Sequence, residues 1–290
     1  MSDYSIIADK IKSADAVLIG ASNGLSITEG IHLFADNTAF EELFGDLKKK
    51  YGIRCLLQGM TAQWPTEEEK WGFWSRLIHH YCGNYKETPV MKNLKAIVGN
   101  KDYFIITTNG ECHFEMAGFE PEKIYEVEGN WLTMQCSKSC HDFIYPGFQV
   151  AEKLATVEKN GQIPSSMIPH CPKCGGAMKI HMEGIGFIPD TNAQQRYHAF
   201  LESCHDKKIV ILELGIGPRN QLIKVPLMHL AEKEKNATYV TINLGEIYIP
   251  SQIKSKSFGI DNYLDIALEQ LCEACHQETI NCNLSINLKS

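Results

Sequence analysis

Four short runs of apolar, partly β-branched residues recur along the chain, at residues 16–19, 103–106, 209–212 and 239–242. Each run stops at a turn that contains Gly, Thr or Asn, and stretches with helical periodicity lie between the runs. Continuous apolar runs of this length predict strands that are buried on both faces of a parallel sheet. The alternation with helices therefore predicts an α/β fold, a Rossmann-like doubly wound parallel sheet that binds ligands at the carboxyl ends of its strands.

Two stretches interrupt this alternation. Residues 35–87 carry helical stripes and many aromatic side chains, whereas residues 131–185 have little periodicity and contain a cluster of cysteines. We predict that these two insertions together form a smaller module, with Trp64, Trp71 and Trp74 in its core. The rest of the chain then forms the larger domain, made of residues 1–34, 88–130 and 186–290.

Composition and charge exclude several classes of function. The chain has 290 residues, a formal net charge of -7 and only four arginines, and no basic face emerges that could neutralise nucleic-acid phosphates. No apolar run approaches the roughly 20 residues that a membrane span needs, and no secretory signal opens the sequence. We therefore expect a cytoplasmic protein that binds neither nucleic acid nor membrane. Its 11 cysteines should be reduced thiols or metal ligands rather than disulfides.

Two pairs of cysteines have the spacing of a metal site. Cys136 and Cys140 form the first pair, and Cys171 and Cys174 form the second, which two glycines follow. Two such turns complete a tetrahedral site of four sulfurs, which suits Zn²⁺ in a closed structural role and makes the smaller module of zinc-ribbon type. The alternatives are unpaired thiols in two loops, or a competing ligand at His141.

A second cysteine motif, at residues 272–276, suggests a haem site only weakly. Residues 272–276 read CEACH, which matches the pattern of covalent haem attachment. The motif falls on the last predicted helix of a chain without an export signal, so thiols on a helix face are the favoured reading.

Three strand ends carry residues suited to a nucleotide. The first strand runs into GASNGLSITEG at residues 20–30, whose glycines allow the backbone to approach a pyrophosphate, although the spacing is not that of G-x-G-x-x-G. The third strand ends in a second glycine turn, and the fourth ends in an amide that could hold a ribose hydroxyl. The candidate residues at these ends are Gly20, Ala21, Ser22, Gly24, Ser26, Gly215, Ile216, Gly217 and Asn243.

The second strand ends in a run of polar residues, TTNGECHFEMAG at residues 107–118. Polar side chains at the carboxyl end of a parallel strand are typical of a binding site. Thr108, Asn109 and Glu111 are the candidate site residues here. The structural alternative is a capped helix start, which Thr108 or Asn109 could supply.

The order of these segments resembles the sirtuin family over nearly the whole chain. The loop at residues 20–31 is similar to that family's G-A-G-x-S-x-x-S-G-I with a small insertion, and residues 107–111 resemble its T-Q-N-x-D. The two cysteine pairs and the turn at residues 214–217 follow in the family's order. The resemblance implies NAD as co-substrate and a structural Zn²⁺.

The departures resemble the macrodomain-linked microbial branch, the class M sirtuins. The H-G pair of sirtuin deacylases is Glu128-Gly129 in this chain, and P-D-F-R has become HLFA at residues 32–35. By resemblance, Asn109 orients the ribose and a water, Phe34 shields the reactive carbon, and Glu128 either takes a proton or binds a hydroxyl. Ile260, at a predicted start of the last helix, would lie near the adenine.

The class M resemblance implies an NAD-dependent protein ADP-ribosyltransferase. Its expected acceptor is a lipoylated carrier protein similar to the H protein of glycine cleavage, with a macrodomain hydrolase as a possible partner in the same pathway. Two alternatives stay open. One is a lysine deacylase in which Glu128 replaces the histidine, and the other is a non-catalytic sensor of NAD or ADP-ribose.

Overall fold

A computed structural model describes the backbone of residues 3–287 and the side chains of residues 3–276. Nine strands lie within this range, and they form two sheets. The strands are β1 Ala16–Ala21, β2 Asp102–Thr107, β3 Ile124–Glu126, β4 Gly129–Cys136, β5 Tyr145–Pro146, β6 Met178–Met182, β7 Ile209–Leu214, β8 Thr238–Asn243 and β9 Ser257–Asp261.

Eleven α-helices accompany these strands in the described part of the chain. They are α1 Asp3–Ser13, α2 Asn23–Thr28, α3 Thr38–Tyr51, α4 Leu56–Thr61, α5 Glu67–Ile78, α6 Pro89–Val98, α7 His113–Met116, α8 Phe148–Val157, α9 Thr191–Ser203, α10 Gln221–Lys233 and α11 Leu264–Asn287. A π-helical turn, His79–Gly83, directly follows α5.

The larger sheet is parallel throughout, with the strand order β3-β2-β1-β7-β8-β9. Alternate residues of β1 belong to different cores: Val17 and Ile19 pack with α1, α6 and α11, whereas Leu18 packs with α9 and α10. Helices therefore cover both faces, which explains why every residue of β1 is buried. The predicted α/β doubly wound fold and its four central strands are confirmed.

The two outermost strands of the sheet, β3 and β9, were not predicted. The segment 259–261 was expected to begin the last helix, and this prediction is wrong. It lies in β9, where Ile260 pairs with Ile242 of β8, and α11 begins only at Leu264. Strands this short, at the edges of a sheet, owe their conformation to pairing with a neighbour more than to local sequence.

A separate core lies among α3, α5, α8 and the small sheet β5-β4-β6. Trp71 and Phe73 are fully buried there, and Trp74 is 6% exposed. The Phe73 ring lies 4.7 Å from Phe44 and 5.3 Å from Trp64, measured between ring centroids. The three tryptophans therefore belong to this core, as the sequence predicts. The core also includes Cys136 and Cys171, so the helical and the cysteine-bearing insertions share one interior.

Candidate active site

A cavity of about 840 Å³ opens at the carboxyl edge of the parallel sheet, beyond the ends of β1, β2, β7 and β8. The chain continues from β1 to β2 on one side, while β7 lies on the other side of β1, so the cavity lies where the strand order reverses. Ligands bind at such a switch point in open α/β sheets. We call this space the carboxyl-edge cavity. Its lining residues are Ser22, Asn23, Gly24, Ile27, Phe34, Thr108, Glu128, Gly215, Gly217, Pro218, Arg219, Asn220, Gln221, Leu222, Asn243, Leu244 and Glu246.

Two glycines bring the loop after β1 against the turn after β7. The Gly24 amide donates to the Gly215 carbonyl at 2.9 Å. A Cβ on Gly24 would lie only 2.5 Å from the Gly215 Cα, and Gly215 itself has a φ of +62°. Both positions therefore require glycine, because the two backbones touch. This contact fixes one wall of the cavity.

Gly20, also expected to contact the cofactor, serves a different purpose in the structure. A Cβ at this position would meet the Leu227 Cδ1 at 2.2 Å, so the missing side chain makes room for α10 to pack on β1. Ala21 is likewise fully buried within β1. Gly20 and Ala21 both lie within β1, directly before the loop that begins at Ser22, and neither lines the cavity.

Asn109 is 5% exposed and is held at two points, since its backbone N–H donates to Thr107 Oγ1 at 2.9 Å and its Nδ2 donates to the Ser22 carbonyl at 3.2 Å. Its Oδ1 is buried and has no hydrogen-bond partner. A buried acceptor left unpaired costs roughly 1–3 kcal/mol, and Asn109 directly follows Thr108, which lines the cavity.

A hydrogen-bonded triad that the sequence did not reveal closes the cavity floor. The Asn220 Nδ2 donates to Ser22 Oγ and to Thr108 Oγ1, both at 2.8 Å, and Thr108 Oγ1 lies 3.0 Å from Ser22 Oγ. Asn220 precedes α10 but makes no side-chain cap of that helix. The triad joins three segments that are distant in sequence, and only the polar character of residues near a strand end could have suggested it.

Glu128 follows β3 and lines the cavity. Burial, together with the nearby Glu183 carboxylate, raises the pKa of Glu128 to about 7. A carboxyl with this pKa can exchange a proton near neutrality, as a general base must. The Glu183 backbone N–H donates to the Glu128 carbonyl at 2.8 Å, which holds the two residues side by side.

A second carboxyl group near the cavity, Glu126, was missed by sequence reasoning. Burial raises its pKa to about 8, even though Asn130 and Cys112 donate hydrogen bonds that lower it. Glu126 is the last residue of β3, whereas Glu128 lies two residues later in the connection to β4. Glu126 does not line the carboxyl-edge cavity.

The structure places the predicted cofactor residues in two groups. Seven of them line the cavity, and the remaining seven lie behind it or in the sheet. In the second group, Glu111 is buried and accepts a hydrogen bond from Ser26 Oγ at 2.7 Å, and burial raises its pKa. The lining residues are Ser22, Gly24, Phe34, Thr108, Gly215, Gly217 and Asn243, and the others are Gly20, Ala21, Ser26, Asn109, Glu111, Ile216 and Ile260.

The four predicted metal ligands converge in the smaller module, where their sulfur atoms all lie within 4.8 Å of one another. The Sγ–Sγ distance is 3.6 Å for Cys136 and Cys174 and 3.7 Å for Cys140 and Cys171. Tetrahedral Zn–S bonds of about 2.3 Å imply sulfur separations of about 3.8 Å, so the donor set fits Zn²⁺. His141 Nδ1 lies 3.0 Å from Cys140 Sγ, beside the four thiols.

A cavity at the switch point of a parallel sheet and a four-cysteine cluster are both features that the resemblance to sirtuins predicts. No model of a protein family matches the chain. It is, however, 33% identical over 264 residues to a protein ADP-ribosyltransferase of Staphylococcus aureus, a match that covers 88% of this chain and 82% of the relative. The chain belongs to the sirtuin-like family of protein ADP-ribosyltransferases.

Two further relatives are consistent with this family. A probable bifunctional ADP-ribose hydrolase/ADP-ribosyltransferase of Fusarium oxysporum is 28% identical over 232 residues, and the match covers 73% of this chain and 37% of the relative. An NAD-dependent protein deacylase of Aeropyrum pernix is 27% identical over 139 residues, 48% of this chain and 47% of the relative. No helix within residues 3–287 is both long and apolar enough to cross a membrane.

Proposed function

We propose that this protein transfers ADP-ribose from NAD to a lipoylated carrier protein similar to the glycine-cleavage H protein, with release of nicotinamide. The bond between the nicotinamide nitrogen and the ribose C1′ breaks, and a nucleophile of the acceptor forms the new bond to C1′. The proton that this nucleophile loses passes to a base or to water. The observation that carries the proposal is Asn109, whose buried Oδ1 is unpaired beside the cavity.

Charge develops on the ribose as nicotinamide leaves, so groups that are already oriented toward it stabilise the transition state. Thr107 and the Ser22 carbonyl fix Asn109, and its buried Oδ1, which has no partner in the protein, would orient the ribose or a water once NAD is bound. Phe34 lies at the cavity with 60% of its surface exposed, where it can shield the reaction from solvent once a ligand is bound. Glu128 supplies the carboxylate that takes the proton or binds a ribose hydroxyl.

The four cysteines have a structural rather than a catalytic role in this proposal. Cys136, Cys140, Cys171 and Cys174 would hold a structural Zn²⁺, which leaves no open position for catalysis.

We also propose that residues 35–87 and 131–185 form one smaller domain and that residues 1–34, 88–130 and 186–290 form the NAD-binding domain. The name of the Fusarium relative, which joins both activities, supports a hydrolase of ADP-ribose as a partner in the same pathway.

The alternative is an NAD-dependent lysine deacylase that uses Glu128 as its base. A pKa of about 7 for Glu128 favours keeping this candidate, because a deacylase needs a base at the position of the family's histidine. The name of the Aeropyrum relative supports it as well. The two reactions differ in their products, namely a modified protein or acyl-ADP-ribose.

Mass spectrometry after incubation with NAD and a lipoylated or unlipoylated carrier protein tests the proposal. We expect the lipoylated carrier to gain the mass of one ADP-ribose, and Asn109→Ala to abolish this gain. Acyl-ADP-ribose from an acylated peptide, without modification of the carrier, would contradict the proposal and establish the deacylase. Binding of NAD without any release of nicotinamide would instead identify a sensor.

A further inference from the structure

His113 is a buried histidine that the proposed reaction does not use. It is the first residue of α7, four positions after Asn109, and is 4% exposed. Its Nε2 lies 3.1 Å from the Tyr81 carbonyl oxygen, and its Nδ1 lies 3.3 Å from Oε2 of Glu29. The ring also packs against Tyr85, with 4.2 Å between the centroids.

The partners of this ring determine where its protons lie. A carbonyl oxygen only accepts, so Nε2 carries a hydrogen. Thr88 Oγ1 accepts from the Met91 amide and therefore donates its own proton to Glu29 Oε1, at 2.5 Å. Nδ1 lies 3.3 Å from the other oxygen of that carboxyl group, to which the Tyr85 hydroxyl also donates at 3.5 Å. The Glu29 carboxyl therefore contacts Thr88, Tyr85 and His113 at the same time.

The contact between His113 and Glu29 is shielded from water. The Glu29 side chain has no solvent exposure, and the angle of the contact leaves Nδ1 without an aligned hydrogen bond. Removing the His113 ring would leave the buried Glu29 carboxyl group without this neighbour and the Tyr81 carbonyl without its donor. The Glu29–His113 pair therefore constrains the segments that carry it.

These segments surround the loop that carries Asn109. Glu29 directly follows α2, the helix of the loop that lines the cavity, and Tyr81 belongs to the π-helical turn His79–Gly83. His113 therefore links the loop at residues 108–112 both to the wall of the cavity and to the helical insertion. Cys82 Sγ reinforces the second link by donating to the Glu111 carbonyl at 3.4 Å.

The same loop contains a strained residue. Cys112 has a φ of +60°, in the left-handed region that a non-glycine side chain rarely occupies. Such a conformation costs on the order of 1 kcal/mol or more and persists only where the surroundings enforce it. His113 is the next residue, so its two contacts hold the strained end of the loop in place.

We propose that His113 is a positioning residue: its contact with the Glu29 carboxyl group and its hydrogen bond to the Tyr81 carbonyl hold the Asn109 loop in its reactive conformation. The assignment of a reactive conformation rests on the proposed release of nicotinamide. The positioning itself is a property of the free protein and can be measured without any reaction.

Hydrogen exchange and turnover of His113→Leu test this role. We expect backbone amides of residues 108–114 to exchange about tenfold faster or more, while the amides of β7 keep their protection. We also expect kcat for nicotinamide release to fall about tenfold with the NAD dissociation constant changed less than threefold, since the loop orients the ribose. Glu29→Gln should loosen the same amides, and His113→Gln, which keeps a donor, should restore most of both properties.

His181→Leu is the matched control, because His181 is also buried and also contacts a carbonyl, that of Ile188, at 2.7 Å but within the smaller module. It should leave exchange at residues 108–114 unchanged. Unchanged exchange of these amides in His113→Leu, or an equal increase throughout the protein, would overturn the positioning role. If the wild-type protein releases no nicotinamide, the proposed function fails, and the exchange result still decides the role of His113.

Discussion

The carboxyl-edge cavity and the smaller module differ in what fills them. The module is packed by its own aromatic side chains, with Trp71 and Phe73 fully buried, and its four cysteines face one another. The cavity is an open space lined by glycines and by both polar and apolar side chains, and Asn109, which follows the lining residue Thr108, has an Oδ1 without a hydrogen-bond partner. The first region is filled by its own side chains around the four cysteines, whereas the second is open space at the edge of the sheet. Substitutions in the module should therefore change stability, and substitutions at the cavity should change binding or turnover.

The largest effect is expected from removing a metal ligand. Cys171→Ser should abolish stoichiometric zinc binding and unfold the smaller module, because structural Zn²⁺ contributes about 10 kcal/mol or more to folding of its site. Elemental analysis of zinc and near-ultraviolet circular dichroism of the tryptophans measure this loss. Cys204→Ser is the control, since Cys204 is equally buried but lies in the core of the larger sheet. Full zinc content in Cys171→Ser would show that the cluster is not the metal site.

The next largest effect should come from Asn109 and should leave stability nearly intact. Asn109→Ala should reduce kcat for nicotinamide release by about 10² to 10³, the range seen when one oriented group of a transition-state site is removed. Its melting temperature should change little, because the side chain makes one hydrogen bond in the free protein. Asn236→Ala is the control, because Asn236 is exposed and lies outside the cavity lining, so this variant should keep the wild-type turnover. Turnover within threefold of the wild type would contradict the assignment of Asn109.

A smaller effect is expected where the two backbones touch beside the cavity. Gly24→Ala places a methyl group 2.5 Å from the Gly215 Cα, which must push the loop and the turn apart. We expect the NAD dissociation constant to rise about tenfold, or about 1.4 kcal/mol, in isothermal titration calorimetry. Gly217 lines the same cavity, but a Cβ at this position would meet no other atom within 4 Å. The affinity of Gly217→Ala for NAD should therefore fall less than that of Gly24→Ala. Equal affinities for the two variants would show that the Gly24–Gly215 contact does not shape the site.

The smallest expected effect is a shift in pH dependence. Burial and Glu183 raise the pKa of Glu128 to about 7, so an activity that needs the Glu128 carboxylate should rise with pH through about 7. Glu183→Gln removes the neighbouring negative charge, lowers the pKa of Glu128 and should move the midpoint of the pH–rate profile to lower pH. Glu202→Gln, on the exposed side of α9, should not move it. A shift to higher pH in Glu183→Gln would contradict this account of the Glu128 carboxyl.

The raised pKa of Glu128 also has a consequence for stability. The folded protein binds the Glu128 proton more tightly than the unfolded chain, so the contribution of this group is fully present below the unfolded pKa of 4.5 and is lost as pH rises through about 7. Glu128→Gln should therefore raise the melting temperature relative to wild type above pH 7 and less so below pH 5, which calorimetry at several pH values can measure.

Much of the fold follows from local patterns in the sequence. The four central strands are continuous apolar runs because they are buried on both faces, and this pattern is readable without neighbours. The cysteine spacing likewise brings each pair of thiols together through a short turn. The position of the cavity follows too, because all parallel strands end at one edge of the sheet.

Tertiary structure decided the rest, because it depends on contacts between distant segments. Asn220 joins Ser22 across 198 positions, and His113 meets Glu29 across 84 positions, so neither pairing leaves a local signal. Gly20 resembles a phosphate-loop glycine, yet the methyl groups of α10 decide its role. The segment 259–261 becomes a strand because β8 offers it unpaired backbone groups. Sequence by itself determined which chemistry is present, and packing determined which of these groups face the cavity.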